Sequence, residues 1–210
     1  MEKSSTHPKL LNFTLDILSP YLTAGFRFCE DREDNKEVSY VLQNMQSPHT
    51  MTDAKHRTVS VVQMKNGYWM GLGFSYYKKK NNRKQLKQFG IQVFDESNPL
   101  FRVDWASSEI EESKNHAQPH WHFDTDIMVK RNEETFSIPT FQQYLKMSGM
   151  QDETVKASLG RFHFFMNWNM DKEKDKDAPY LDLSDESLFK PWLTKTLEYI
   201  DSELQFIVKR

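Results

Sequence analysis

The pattern of apolar and polar positions changes character along the chain. Near the start, Leu10, Leu11, Leu15 and Leu18 recur at helical spacing and Ser19-Pro20 follows, which predicts a short helix over 8–18. From 38 to 124 the pattern becomes short β-branched and aromatic runs separated by turn residues. It predicts strands over 38–45, 58–64, 68–77, 89–94, 100–105 and 119–124. Residues 21–29 fit a helix extension or a strand equally well. The polar segments 30–37 and 46–56 read as loops. Asn66-Gly67 lies between two of the strands and tolerates positive φ, so 58–64 and 68–77 are expected to form a hairpin.

Side chains alternate faces on a strand. Over 68–77 one face then carries Tyr68, Met70, Leu72, Phe74 and Tyr76, and the other carries Trp69, Gly71, Gly73, Ser75 and Tyr77. Glycine within a strand weakens it and marks the close approach of another group. The bare middle of the second face therefore fits either a bulky packing neighbour or the floor of a cleft.

Past residue 138 the period becomes helical. Helices are predicted over 139–149, between Pro139 and Gly149; over 152–168, with Val155, Leu159, Phe162 and Met166; and over 185–208, with Leu188, Trp192, Leu193, Leu197, Ile200 and Leu204 as the apolar stripe and Pro191 in the first turn. Residues 172–178 read as a charged loop. Strands first and helices last predict a single α+β domain over 1–210. Its antiparallel sheet would have about five or six strands in the N-terminal two thirds, with helices in the C-terminal third.

Charge adds a limit and a candidate surface. The chain has 28 basic and 30 acidic residues, a net charge of −2, so no bulk attraction to nucleic acid or anionic membrane follows. Lys78, Lys79, Lys80, Arg83, Lys84 and Lys87 nevertheless cluster in what reads as an exposed hairpin tip. That tip is either a solvated loop or a nucleic-acid-binding loop whose cations neutralise phosphates, with Tyr76 and Tyr77 beside it to stack on bases. No apolar run approaches the ~20 residues that cross a bilayer, and no secretory leader pattern opens the chain. Cys29 is the single cysteine, so no disulfide forms within the chain. These features predict a cytoplasmic setting with no membrane partner. No neighbour in sequence activates Cys29, which reads as a half-buried thiol.

Chemistry concentrates in residues 101–124, FRVDWASSEIEESKNHAQPHWHFD, which hold three of the seven histidines. The period of two groups Phe101, Val103 and Trp105 on one face of the first strand and Arg102 with Asp104 on the other. In the second strand it groups Trp121 with Phe123, opposite His120, His122 and Asp124. If the rings of both strands enter one core, Arg102, Asp104, His120 and His122 emerge together. His-x-His on a strand places two imidazoles on one side, roughly 6–7 Å apart at the backbone. Two such rings and a carboxylate such as Asp104, with His116 or His163 as a further ligand, make a divalent-metal site with an open position. Without metal, the paired imidazoles suit general acid–base work. Arg102 would hold a phosphate at two points or stabilise developing negative charge. The same four residues also fit a purely structural ion-pair network, or a noncatalytic ligand surface. His163, among phenylalanines, reads foremost as a core-edge histidine. His7, His49 and His56 lie in polar segments and carry no assignment. No phosphate-binding glycine loop, CxxC pair, HExxH or serine nucleophile elbow is present, which argues against nucleotide-triphosphate hydrolysis and thiol redox chemistry.

At FRVDW and HAQPHWHF the chain resembles small bacterial toxins of the TumE type from toxin–antitoxin modules, in which an Arg-x-Asp strand precedes a histidine-rich stretch. The resemblance covers residues 101–124. The chain departs from such toxins in its greater length, its longer acidic insert between the two motifs and its helical C-terminal third. The resemblance implies a bacterial cytoplasmic effector of toxin or defence type that acts on nucleic acid and is restrained by a protein partner or antitoxin. Two readings of the function follow. One is a metal-assisted or histidine-dependent phosphodiester hydrolase. The other is a noncatalytic nucleic-acid- or protein-binding subunit of a larger complex.

Overall fold

Among the described residues, two helices cover one face of a nine-stranded antiparallel sheet. The computed structural model describes residues 9–23, 25–53, 55–80, 83–96, 98–110, 117–123, 164–165 and 180–208. The elements in order are α1 (Lys9–Leu18), β1 (Phe26–Glu33), β2 (Glu37–Asn44), β3 (His49–Thr52), β4 (Thr58–Gln63), β5 (Trp69–Lys78), β6 (Lys84–Asp95), β7 (Asn98–Ala106), β8 (His120–Phe123), β9 (Phe164–Phe165) and α2 (Glu186–Val208). The α+β class with its sheet in the first two thirds of the chain is as the sequence pattern predicts. The strands outnumber the expected five or six.

The sheet runs β1-β2-β5-β6-β7-β8-β9. It branches at β5. Residues Gly73 to Tyr77 pair with β2, while Trp69 and Met70 on the same edge pair with β4. The rest of β4 leaves the sheet and pairs with β3. A Cβ at Gly71 would stand 2.6 Å from Val59 Cγ1, so this β3–β4 hairpin folds over β5 on the face away from the helices. Val61, Met51 and Phe94 form a small second core beneath it, with Val59 and Trp69 packed alongside.

The main core lies on the opposite face. Tyr68, Met70, Leu72, Phe74 and Tyr76 are all buried there, as the alternation of 68–77 requires. They join Tyr40, Leu42, Phe89, Ile91, Val103, Trp105 and Trp121 from neighbouring strands, and Leu10, Leu11, Phe189, Trp192, Leu193 and Leu197 from the two helices. Phe89 meets Phe189 and Trp192 edge-on, at ring-centroid distances of 5.3 and 5.8 Å. Such pairs add to the hydrophobic burial of the rings.

Local chemistry sets the element ends. Gly67 takes φ +93° in the hairpin turn between β4 and β5, and the Asn66 side-chain oxygen accepts the Tyr68 N–H. Asp185 caps α2: its carboxylate accepts the Ser187 N–H at 2.8 Å and its carbonyl accepts the Phe189 N–H at 2.8 Å. Pro191 sits in the second turn of α2, one turn later than the sequence suggests.

Four segments differ from the sequence expectation. The polar segment 30–37 is strand through Glu33 and again from Glu37. Its acidic side chains tolerate strand geometry because β1 is an edge that buries only Phe28, and Asp34 closes the turn by accepting the N–H groups of Lys36 and Glu37. Within 46–56, residues His49 to Thr52 form β3, a short strand that buries Met51 alone. The basic tip is shorter than 78–88, since Lys78 ends β5 and Lys84 already begins β6. Phe164 and Phe165, expected in a helix over 152–168, pair with Trp121 and His120 as β9. The remainder of that segment, the helix over 139–149 and the loop over 172–178 lie outside the described residues. No helix among the described residues is long and apolar enough to cross a membrane.

Candidate metal centre

β7 and β8 are neighbours, and their register decides what meets. Val103 pairs with Trp121, and both are buried in the main core. The alternation then sends Asp104 and its partner His120, and Arg102 and its partner His122, to the opposite face. The grouping read from the sequence is therefore present. For Phe123 only the backbone is described.

The side chains converge. Asp104 Oδ2 lies 3.2 Å from His122 Nε2 and 2.8 Å from Arg102 Nε. The Arg102 contact is an ion pair without hydrogen-bond alignment. The rings of His120 and His122 stand 4.7 Å apart, tilted at 65°. One ligand atom each from Asp104, His120 and His122 falls within 4.8 Å of the others, and this is the only such group of three among the described residues. Two ligands of a tetrahedral ion with bonds of about 2.0–2.1 Å are separated by roughly 3.3 Å. The Asp104–His122 pair already has that spacing, and His120 needs to approach by up to about 1.5 Å. Two imidazoles and a carboxylate form a borderline donor set that suits zinc, manganese or iron. The three residues thus could hold a metal ion.

One ring is oriented from outside the cluster. His120 Nδ1 lies 2.8 Å from the Ala117 carbonyl oxygen. A carbonyl only accepts, so Nδ1 carries the proton and Nε2 is the ligand atom. An imidazole held by a backbone carbonyl through its second nitrogen is the usual outer support of a metal-bound histidine.

The carboxylate experiences opposing influences. Burial pushes the Asp104 carboxyl up. The hydrogen bond from His122, the Arg102 guanidinium and His120 pull it down further, and the net displacement is below the ordinary aspartate value. Exposure rises across the cluster, from 7% at His120 through 17% for the His122 side chain to 36% for that of Asp104.

The floor beside Asp104 is bare backbone. Gly90 of β6 stands directly opposite it, and Gly73 of β5 stands opposite Gly90. A Cβ at Gly90 would lie 3.3 Å from Asp104 Oδ1. Gly71 is explained by the close packing of Val59, whereas at Gly73 the nearest atom to an added Cβ is the Tyr40 carbonyl oxygen, 3.6 Å away. On the next row Gln92 faces Arg102 and reaches the buried Asp53, which also binds Arg57.

The basic residues lie elsewhere. Lys78 pairs with Glu33, Lys79 with Glu109 at 3.1 Å, and Lys87 with Glu37 at 2.7 Å; Lys84 donates to the Tyr40 hydroxyl at 2.6 Å. Lys80 and Arg83 are exposed. Lys84 is six residues along β6 from Gly90, roughly 20 Å at ~3.3 Å per residue. Four of the six cations are thus engaged by the chain itself. His116, His163 and Asp124 lie outside the described residues.

Sequence reasoning missed Ala117, Gln118 and Gly90. Nothing in residue type marks a backbone carbonyl as a histidine partner, and the role of Gly90 needs the β6–β7 register. No protein-family model matches the chain, and neither does any curated protein or any solved structure.

Proposed function

We propose that this protein is a metal-dependent phosphodiester hydrolase acting on nucleic acid, with Asp104, His120 and His122 holding a divalent ion. The observation that carries this reading is the convergence of three ligand atoms within 4.8 Å, with one ring turned by the Ala117 carbonyl. When bound, such an ion would make a water molecule nucleophilic near neutral pH and polarise a phosphoryl oxygen. Arg102 then contributes a permanently charged guanidinium beside the carboxylate, suited to hold a phosphate oxygen as charge builds. The resemblance of residues 101–124 to TumE-type toxins supports nucleic acid as the polymer, an effector role in a bacterial cytoplasm and a restraining protein partner. Exposed Lys80 and Arg83 supply cations for the backbone of a longer substrate.

The purified chain is expected to carry close to one equivalent of divalent metal and to cleave single-stranded oligonucleotides. His120→Ala and His122→Ala should remove both properties while the fold remains. Full turnover in the double variant would reject the assignment. A second reading retains the residues and omits the ion, because Asp104 already positions His122 by a 3.2 Å contact that would orient a general base. Chelator-resistant cleavage that is lost in His122→Ala would favour it. A chain that neither binds metal nor turns over, yet binds a partner, would point to the noncatalytic subunit.

A further inference from the structure

We propose that Gln118 is a positioning residue that sets the orientation and tautomer of His120 through the Ala117 carbonyl. This rests on the reading of His120 as a ligand, but its first consequence is visible without any metal. The Ala117 oxygen holds Nδ1 of the His120 ring, so the peptide that carries this oxygen helps to set the ring. Gln118 belongs to that peptide and is held on two sides. Its side-chain Oε1 accepts the Ala106 N–H at 3.0 Å, and its carbonyl accepts the Leu181 N–H at 2.7 Å. It also forms a parallel bridge with Tyr180, and it is 2% exposed.

The side-chain bond substitutes for a strand bond. Asp104 pairs with His120, so continuing the antiparallel ladder would bring Ala106 to the position of Gln118. The chain turns away there, and the Gln118 carboxamide supplies the acceptor that the main chain would have given. Ala106 is satisfied, β8 starts at His120, and the Ala117 carbonyl is left free of the ladder to receive Nδ1–H. A shorter side chain would not span the gap, and an apolar one would leave a strand-end N–H unpaired, a costly arrangement where water is excluded. Leu181 is anchored in turn, because its carbonyl accepts the Trp105 indole N–H at 2.7 Å.

The test compares Gln118→Met, which keeps length and packing but loses the acceptor, with Gln118→Glu, which keeps an acceptor oxygen. Nitrogen-15 imidazole spectra of the metal-free protein, taken at about pH 8.5 where a free imidazole is neutral, report the tautomer of His120. The wild type and Gln118→Glu should show Nδ1–H, whereas Gln118→Met should show the Nε2–H form or an exchanging mixture. Zinc affinity should fall about 10–100-fold in Gln118→Met, as for other outer supports of metal-bound histidines, and return towards wild type in Gln118→Glu. Retention of a pure Nδ1–H form in a folded Gln118→Met overturns the proposal. So does a Gln118→Glu protein as impaired as Gln118→Met. A wild type that shows the Nδ1–H pattern and its loss in Gln118→Met, yet binds no zinc, would refute the metal reading and leave the positioning role standing.

Discussion

Asp104 stands directly across the sheet from His120, yet its carboxylate reaches diagonally to His122, placing Oδ2 3.2 Å from Nε2. Diagonal neighbours on adjacent strands are within reach of long side chains. The carboxylate consequently joins two cross-strand rows, one holding His120 and the other holding His122 with Arg102.

This joint gives the acid limb of stability a definite sign. The folded Asp104 carboxyl sits below its ordinary value, despite burial that raises it, because His122, Arg102 and His120 favour the ionised form. A depressed folded value stabilises the fold above the unfolded aspartate pKa of about 3.9, and the contribution disappears as pH falls through the lower folded value. Denaturant midpoints measured from pH 6 down to about pH 2 should therefore fall more steeply in wild type than in Asp104→Asn. Parallel curves would show that Asp104 is not the group responsible.

Metal affinity should fall on acidification, since two imidazoles and a carboxylate must all be deprotonated at their ligand atoms. Removing either histidine should cost more than the roughly 100-fold upper range of outer-support changes. Titration calorimetry with zinc on wild type, His120→Ala and His122→Ala would measure this. Unchanged affinity in either variant would remove that residue from the ligand set.

The strand glycines should respond unequally to one added methyl group. Gly71→Ala would place its Cβ 2.6 Å from Val59 Cγ1 and should cost about 1–3 kcal/mol through overpacking. Gly73→Ala meets nothing closer than 3.6 Å and should be neutral or mildly stabilising in urea unfolding. Gly90→Ala crowds Asp104 Oδ1 at 3.3 Å, so the fold should survive while zinc affinity drops about tenfold.

Asp185→Ala removes the cap of α2 and should lower stability by about 1 kcal/mol. Because α2 supplies Phe189, Trp192, Leu193 and Leu197 to the core, the loss should appear in the global thermal transition rather than as local fraying.

Much of this organisation is legible in the sequence. Alternation identifies the buried rings Trp105 and Trp121 and the polar group Arg102, Asp104, His120 and His122, because period two is fixed by backbone geometry. Asn66-Gly67 marks its hairpin through the positive φ of Gly67. Other features depend on tertiary contacts. The charged segment 30–33 enters a strand because Tyr40, Ser39 and Val38 offer it a ladder at the sheet edge. The lysines look like a free basic loop in sequence, but Glu33, Glu37 and Glu109 approach from other segments. The support for His120 depends on Leu181, which no local pattern near 117–123 announces.

That last dependence bears on biosynthesis. Trp105 and Leu181 are 76 residues apart, and the Leu181 strut grips both Trp105 and the loop that aims His120. A ribosome making this chain releases every cluster residue, Arg102 through His122, well before it releases the strut. The nascent polypeptide therefore carries all the cluster side chains for some time before the strut that grips the His120 loop has been translated.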